Sequence, residues 1–424
     1  MEEDERKVAE PKKKEDFGTR FERLFAEICG KRFLKGFVFH SPKIYDPTEQ
    51  EIGDVVLWVR RYVVNFELVS QNHELSNTTK NFVRRIGLKR KQHIRDFAVF
   101  HDPTIEIQFH NGLSQRVIFD KTEIPDCSYL GVVLVDCGIP IEKMHFDSFA
   151  KSLEPEFPLA IMTLDGFRDL LEEVDTVPDL VYYLSDRHKF VKSVFPRTPG
   201  LFLDLNRSTE KNLVSFYKLN ENQFQSRQWH EAEFDSYPAK YGQKWSRQIE
   251  ARNLENQATQ AIDDITDYLQ KMGGQQAKLH SWELAMLSRR QRASGVGQRV
   301  YDALVQLPKG KKKRWFAYYN QATGCWSVFY FRYGGTVEEF RDELETLTRQ
   351  KLIVEINARN FEYSVFGYGF RKSPMVTGTS MDDVWLTIAD AHNEDRPLNK
   401  DDLSEAQKCF HGGNRQRIKE FPEL

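Results

Sequence analysis

The chain has 424 residues, of which 40% are hydrophobic and 13% aromatic, and its formal net charge at pH 7 is -2. This length predicts two or three domains with sizeable cores. The near-neutral charge excludes a global field that would draw the whole protein to nucleic acid or to a membrane. Five scattered cysteines without a Cys-x-x-Cys pair argue against a zinc ribbon and a disulfide framework. No apolar run approaches the roughly 18 residues of a membrane span, so we expect a soluble cytoplasmic protein.

The first third of the chain has the pattern of an α/β domain. Residues 1–16 are charged throughout and predict a disordered tail. Apolar spacing, alternation and an Asn111-Gly112 turn predict the elements that follow. These are a helix at 17–29, strands at 36–40, 54–59 and 62–69, a basic helix at 76–100, a hairpin at 104–119 and a buried strand at 129–139. We expect this domain to span residues 17–150.

The rest of the chain predicts two further regions. Residues 151–305 read as a mainly helical middle region, with a break at Gly273-Gly274. Residues 306–424 predict a small C-terminal α/β module, so the fold class is mixed α/β (α+β). Within this module the expected elements are an aromatic hairpin at 315–333, helices at 337–349 and 382–391, and strands at 352–356 and 363–369. A protein partner or a second copy of the chain is expected to bind, if at all, through this module.

Two carboxylates stand out on strands that are otherwise apolar. Asp54 opens the strand DVVLWV, and Glu67 lies inside the strand YVVNFELV that follows it. If the two strands pair as a hairpin, the two side chains approach each other. Mg²⁺ and Mn²⁺ take oxygen ligands, and one or two carboxylates suffice when phosphate and water complete the shell. The alternative is that Asp54 is only a strand-start aspartate and Glu67 an edge-strand glutamate that faces solvent.

The order of these segments resembles the PD-(D/E)XK nuclease superfamily, which has the restriction-endonuclease-like fold. The text GTRFE is similar to its Gly-x-x-x-Glu helix and carries over Glu22. EIGDVV is similar to its aspartate strand, with Asp54 as metal ligand and Glu51 as a supporting carboxylate. NFELVS is similar to its Glu-x-Lys strand and carries over Glu67. The resemblance, which covers about a third of the chain, implies Mg²⁺-dependent (or Mn²⁺-dependent) hydrolysis of DNA phosphodiester bonds, in defence against foreign DNA.

The chain departs from this pattern at the lysine. Val69 occupies the position of the family's lysine, which helps to orient the attacking water and to stabilise developing charge. We expect either that a lysine has migrated to a neighbouring element, with Lys80 or Lys91 as candidates, or that catalysis has been lost. The second alternative is a catalytically inactive nuclease-fold protein that binds nucleic acid or a protein partner.

A run of basic residues follows the two carboxylate strands. Between Asn77 and Arg95 there is no acidic residue, and the basic ones are Lys80, Arg84, Arg85, Lys89, Arg90, Lys91 and Arg95. A basic helix beside a metal site is placed to meet phosphates. We therefore predict DNA binding through Lys80, Arg84, Arg85, Lys89 and Lys91. In the family a glutamine near this position often faces the site, which adds Gln92.

Overall fold

The computed structural model of the protein describes sixteen stretches and a few single residues near 213–217 and 404–410. The stretches are 17–33, 35–44, 50–59, 62–70, 79–102, 104–110, 116–119, 128–136, 157–174, 176–194, 256–289, 291–306, 312–320, 322–359, 364–372 and 383–390. The predicted tail at 1–16 lies outside them. Over these stretches the chain is a mixed α/β protein with three sheets. None of the helices in them is long and apolar enough to cross a membrane.

The N-terminal sheet has five strands and follows from long apolar runs in the sequence. Its strands are β1 (Val38–His40), β4 (Val55–Val59), β5 (Tyr62–Ser70), β8 (Ser128–Asp136) and β9 (Leu159–Thr163), in that spatial order. β1, β4 and β5 are antiparallel neighbours, whereas β5, β8 and β9 run parallel. Strands buried on both faces read as continuous Val, Ile and Leu runs, and every residue of β4 is buried.

Helices cover both faces of this sheet. On one face, Phe25 of α1 (Phe17–Phe33) and Phe167 of α3 (Leu164–Glu173) have their ring centroids 5.0 and 5.5 Å from that of Phe66 on β5. On the other face lies α2 (Thr79–His101), the predicted basic helix. The strands predicted at 54–59 and 62–69 are therefore confirmed, and the one predicted at 36–40 is present as β1 after a 3₁₀ turn at Lys35–Phe37.

A small second sheet joins β2 (Lys43–Ile44), β3 (Gln50–Glu51), β6 (Ile107–His110) and β7 (Arg116–Phe119). β6 and β7 pair antiparallel across the Asn111-Gly112 segment, which confirms the predicted hairpin. β9 and α4 (Val177–Val194) continue the N-terminal core beyond the predicted domain boundary at residue 150.

The C-terminal sheet has four strands, β10 (Lys313–Asn320), β11 (Cys325–Tyr333), β12 (Ser364–Lys372) and β13 (Asp383–Asp390). The helix α8 (Val337–Arg359) connects the parallel pair β11 and β12 and packs on one face. The predicted strand at 352–356 is wrong, because Phe340, Leu344 and Leu352 are buried at a spacing of whole helical turns. The predicted helix at 382–391 is also wrong, since those residues include β13.

Three helices occupy the described part of residues 256–306, which agrees with the predicted helical character of that part of the middle region. They are α5 (Asn256–Met272), α6 (Gln275–Ala285) and α7 (Val296–Gln306), with a π-helical turn before α7. α6 contacts both cores: the ring centroid of Trp282 lies 5.2 Å from that of Trp58 on β4, and the hydroxyl of Tyr368 on β12 donates to the carbonyl of His280. The helix α6 therefore packs against both the N-terminal and the C-terminal sheet.

Candidate active site

The hairpin of β4 and β5 brings Asp54 opposite Glu67. Val55 pairs with Phe66 and the amide of Asp54 donates to the carbonyl of Phe66 at 3.0 Å. Continuing this register by one residue places Asp54 and Glu67 on the same sheet face. The amide of Leu68 donates to Oδ2 of Asp54 at 2.5 Å, which fixes that carboxylate. Asp54 is 7% exposed and Glu67 fully buried, so the solvent-facing alternative is wrong for both.

A lysine lies between these two carboxylates. Nζ of Lys89, on α2, donates to Oδ1 and Oδ2 of Asp54 at 3.2 and 3.0 Å and to Oε2 of Glu67 at 2.5 Å. One ammonium therefore bridges both carboxylates. Oδ2 of Asp54 and Oε2 of Glu67 each lie within 3.0 Å of this nitrogen, so the two carboxylates lie close together. Among the described lysine side chains, Lys89 is the one that reaches the pair, and Lys91 does not. Lys91 is exposed, and the side chain of Lys80 lies outside the described part.

The phase of α2 explains which lysine reaches the site. Ile86, His93 and Phe100 are buried and recur every seven residues, which is close to two helical turns. Lys89 lies about one turn after Ile86, and Asp96 lies about one turn after His93. Both side chains therefore share the inward face of the helix. Lys91 points about 140° away from Ile86, given a rotation of about 100° per residue. This seven-residue stripe in the sequence was the signal that could have identified Lys89.

Burial and charge perturb the titration of this cluster. Burial, the Asp54 carboxylate and Asp96 raise the pKa of Glu67 to about 9, and Lys89 opposes this only in part. Burial acts to lower the pKa of Lys89, but the two carboxylates outweigh it and raise that pKa above its ordinary value. Lys89 is therefore charged at neutral pH, and the Glu67 carboxyl keeps its proton to a pH far above the ordinary range of a glutamate.

A buried polar network lies directly below the cluster. Nδ2 of Asn65 donates to Oδ2 of Asp96 and to the hydroxyl of Tyr129, both at 2.9 Å. Nε2 of His93 faces the carbonyl of Val132 at 3.3 Å, so it carries the proton, and Nδ1 accepts from the hydroxyl of Tyr129 at 2.8 Å. Burial lowers the pKa of His93 to about 3, in agreement with a neutral ring. The sequence did not predict this network.

Gly53 allows the chain to turn into Asp54 beside this network. Its φ is +71°, and a Cβ there would lie 1.8 Å from Oδ1 of Asn65. Both the backbone angle and the close approach therefore require glycine.

Gly53→Ala should destabilise the protein by about 1–3 kcal/mol through strained backbone, with a further loss because Asn65 must move. Gly273→Ala is a matched control, because Gly273 also has a φ of +71° but nothing lies within 4 Å of its Cβ position. Urea denaturation of both variants measures the difference. Equal losses would contradict the tight contact with Asn65.

Glu22 and Glu51 lie apart from the carboxylate pair. Oε2 of Glu22 on α1 lies 3.5 Å from Nε2 of His40, which pairs with Val55 on the face covered by α1. Glu51 is exposed on β3, where its carbonyl accepts from Arg95 at 2.9 Å. Among the described contacts, Asp54 and Glu67 have none to either glutamate, so the geometry supports no direct role for them.

The remaining basic residues of α2 divide into exposed and engaged side chains. Arg84, Arg85 and Lys91 are exposed, and Gln92 is half-buried. Nη1 of Arg85 donates to the carbonyl of Ser70 at 2.6 Å. Arg95 forms an ion pair with Asp96 at 2.7 Å. Lys89 therefore belongs to the carboxylate cluster, whereas Arg84, Arg85 and Lys91 are exposed to solvent.

The carboxylate pair fits a hard divalent cation by the chemistry of its donors. Oε1 of Glu67 is buried and accepts no hydrogen bond within the described stretches. A pair of carboxylates is a usual protein contribution to Mg²⁺, with waters and phosphate completing the shell. Within the same stretches, no group of three or more His, Cys, Asp or Glu side chains converges as a metal site.

Comparisons with known proteins leave the family of this chain open. The chain matches no protein-family model, no curated protein and no solved structure. The function must therefore be inferred from the site itself.

Proposed function

We propose that the protein is a metal-dependent nuclease that hydrolyses DNA phosphodiester bonds at the Asp54–Glu67–Lys89 cluster. The observation that supports this most strongly is Nζ of Lys89 within 3.0 Å of Oδ2 of Asp54 and 2.5 Å of Oε2 of Glu67. Two carboxylates and one ammonium are the groups that the resemblance to PD-(D/E)XK nucleases implies. Lys89 supplies from α2 the charge that Val69 cannot supply from β5.

Each residue of the cluster has a role that follows from its contacts. Asp54 and Glu67 would hold Mg²⁺ or Mn²⁺, and when bound the ion lowers the pKa of a water and offsets phosphate charge. The ammonium of Lys89 can hold the attacking water and stabilise the negative charge that develops on the phosphate. The side chain of Lys89 is 23% exposed, so it can be reached from solvent. The amide of Leu68 keeps Asp54 oriented throughout.

Cleavage of plasmid and single-stranded DNA by the full chain tests this proposal. Wild type should cleave with Mg²⁺ or Mn²⁺ and not with EDTA, and Asp54→Ala should abolish cleavage because it removes one of the two carboxylates. If folded wild type cleaves no DNA and binds no metal by calorimetry, the inactive nuclease-fold alternative explains the protein better.

DNA binding should depend on salt through the exposed face of α2. Arg84→Gln/Lys91→Gln should flatten the log–log salt dependence by about 0.9 for each phosphate contact that is lost. Fluorescence anisotropy with a labelled duplex, across a salt series, measures that slope. Arg20→Gln/Lys31→Gln removes two exposed charges on α1 and serves as control. Equal slopes for the two double variants would locate DNA binding elsewhere.

A further inference from the structure

The network below the cluster joins α2 to β5 at a second point. Asp96 is fully buried and uses both oxygens: Oδ2 accepts from Asn65, and Oδ1 accepts from Nε and Nη2 of Arg95 at 3.0 and 2.7 Å. Asn65 is also fully buried and lies on the same face of β5 as Glu67. This polar contact is therefore specific in direction and distance, unlike the apolar packing around it.

The position of this contact sets the register of the helix. Asp96 follows Lys89 by two turns, about 10.5 Å along the helix axis, while Asn65 precedes Glu67 by two residues, about 6.7 Å along the strand. The two contacts occur in opposite chain order, as expected for a helix that returns antiparallel to the strand before it. Sliding or rotating α2 would break the Asn65–Asp96 bond and move Lys89 from the carboxylates together.

We propose that Asp96 and Asn65 are positioning residues that lock α2 against β5 at the register that holds Lys89 between Asp54 and Glu67. A lysine carried on β5 itself, beside the glutamate, needs no such lock because the strand fixes it. A lysine carried on a helix needs a second anchor. The catalytic part of this inference rests on the proposed function, whereas the position of Lys89 is independent of it.

Two readouts in the full chain test the lock. The first is competitive acetylation followed by mass spectrometry, with Lys91 on the same helix as internal reference. In Asp96→Ala and Asp96→Leu, neither of which can accept the hydrogen bond from Asn65, Lys89 should become severalfold more reactive relative to Lys91 because it leaves the carboxylates. Phe100→Leu, a buried apolar change on the same helix, is the control for general loosening and should leave the ratio near that of wild type.

The second readout is the rate of single-turnover cleavage. If Asp96 had only a structural role, its loss would lower this rate equally whether the lysine is carried on α2 or on β5. Asp96→Ala should lower the rate by up to about 10²-fold with little change in KM, as expected for a misplaced catalytic group. The same change should have little effect in a Lys89→Ala/Val69→Lys background, where the lysine is carried on β5. Asp96→Leu, which fills the space of the carboxylate without an acceptor, replaces Asp96→Ala if the latter does not fold.

The outcomes separate the two proposals. An unchanged Lys89-to-Lys91 labelling ratio in both Asp96 variants overturns the lock, whether or not the protein cleaves DNA. Equal losses of cleavage in both lysine backgrounds also overturn it. Absence of cleavage by wild type, together with increased labelling of Lys89, would overturn the nuclease proposal and leave the lock standing.

Discussion

Lys89→Ala should lower Mg²⁺-dependent DNA cleavage by about 10²–10³-fold, which is the usual loss when one preorganised donor to developing charge is removed. The physical reason is that Lys89 is the cation whose Nζ lies within hydrogen-bond distance of both Asp54 and Glu67. Single-turnover cleavage at saturating enzyme measures this loss independently of DNA affinity. Lys31→Ala, an exposed lysine change on α1, should cleave like wild type.

Moving the lysine makes this prediction more specific. Val69 is fully buried and shares its strand face with Glu67, so Lys89→Ala/Val69→Lys should recover at least about tenfold of the lost rate by restoring an ammonium near the carboxylates. Val69→Lys alone should add little or crowd the site, since Lys89 already occupies it. Cleavage by Lys89→Ala at the wild-type rate would contradict the role of the lysine. Failure of the folded double variant to recover any rate would contradict its transfer to β5.

Glu67→Gln should stabilise the protein increasingly as pH rises from about 5 to about 9. The pKa of Glu67 is raised to about 9 in the folded protein from an ordinary value of 4.5, so between these values the folded state holds a proton that the unfolded state has released. The contribution of Glu67 to wild-type stability therefore falls as pH rises, by up to about 1.4 kcal/mol per pH unit for one proton. Glutamine carries no such proton, so this contribution is absent from the variant.

Urea denaturation of wild type and Glu67→Gln across this pH range measures the effect. The difference in unfolding free energy should be small near pH 5 and should grow toward pH 9, while Glu67→Gln loses metal binding because it lacks one carboxylate. Glu172→Gln, at an exposed position on α3, should follow wild type at every pH. Parallel curves for wild type and Glu67→Gln would contradict the raised pKa.

Local patterns predicted the elements of the N-terminal region well. The strands around Asp54 and Glu67 and the helices on either side each have an apolar pattern within their own sequence that is sufficient to predict them. The segment 352–356 was harder, because the short apolar run Leu352–Ile353–Val354 suits a strand as well as a buried helix face. The helix α8 is favoured over a strand because Leu344 and Leu352 are buried against the C-terminal sheet. This tertiary contact cannot be recognised from the local sequence.

The candidate site was predictable where the sheet register determines it. Asp54 and Glu67 were found because a hairpin of apolar strands brings opposite residues together. Glu22 was expected to support them, but α1 covers the other face, where Glu22 meets His40. The bond between Asn65 and Asp96 joins residues from two elements, and a single sequence does not reveal which buried polar residues will meet.

Hydrolysis of bis(p-nitrophenyl) phosphate tests the central claim most directly, because this activated phosphodiester needs no recognition of a DNA sequence. The full chain should release p-nitrophenol with Mg²⁺ or Mn²⁺, EDTA should stop the reaction, and Asp54→Ala should reduce the rate to that of the metal alone. Undiminished hydrolysis by folded Asp54→Ala, or none by folded wild type with either metal, would contradict a phosphodiesterase centre at Asp54, Glu67 and Lys89.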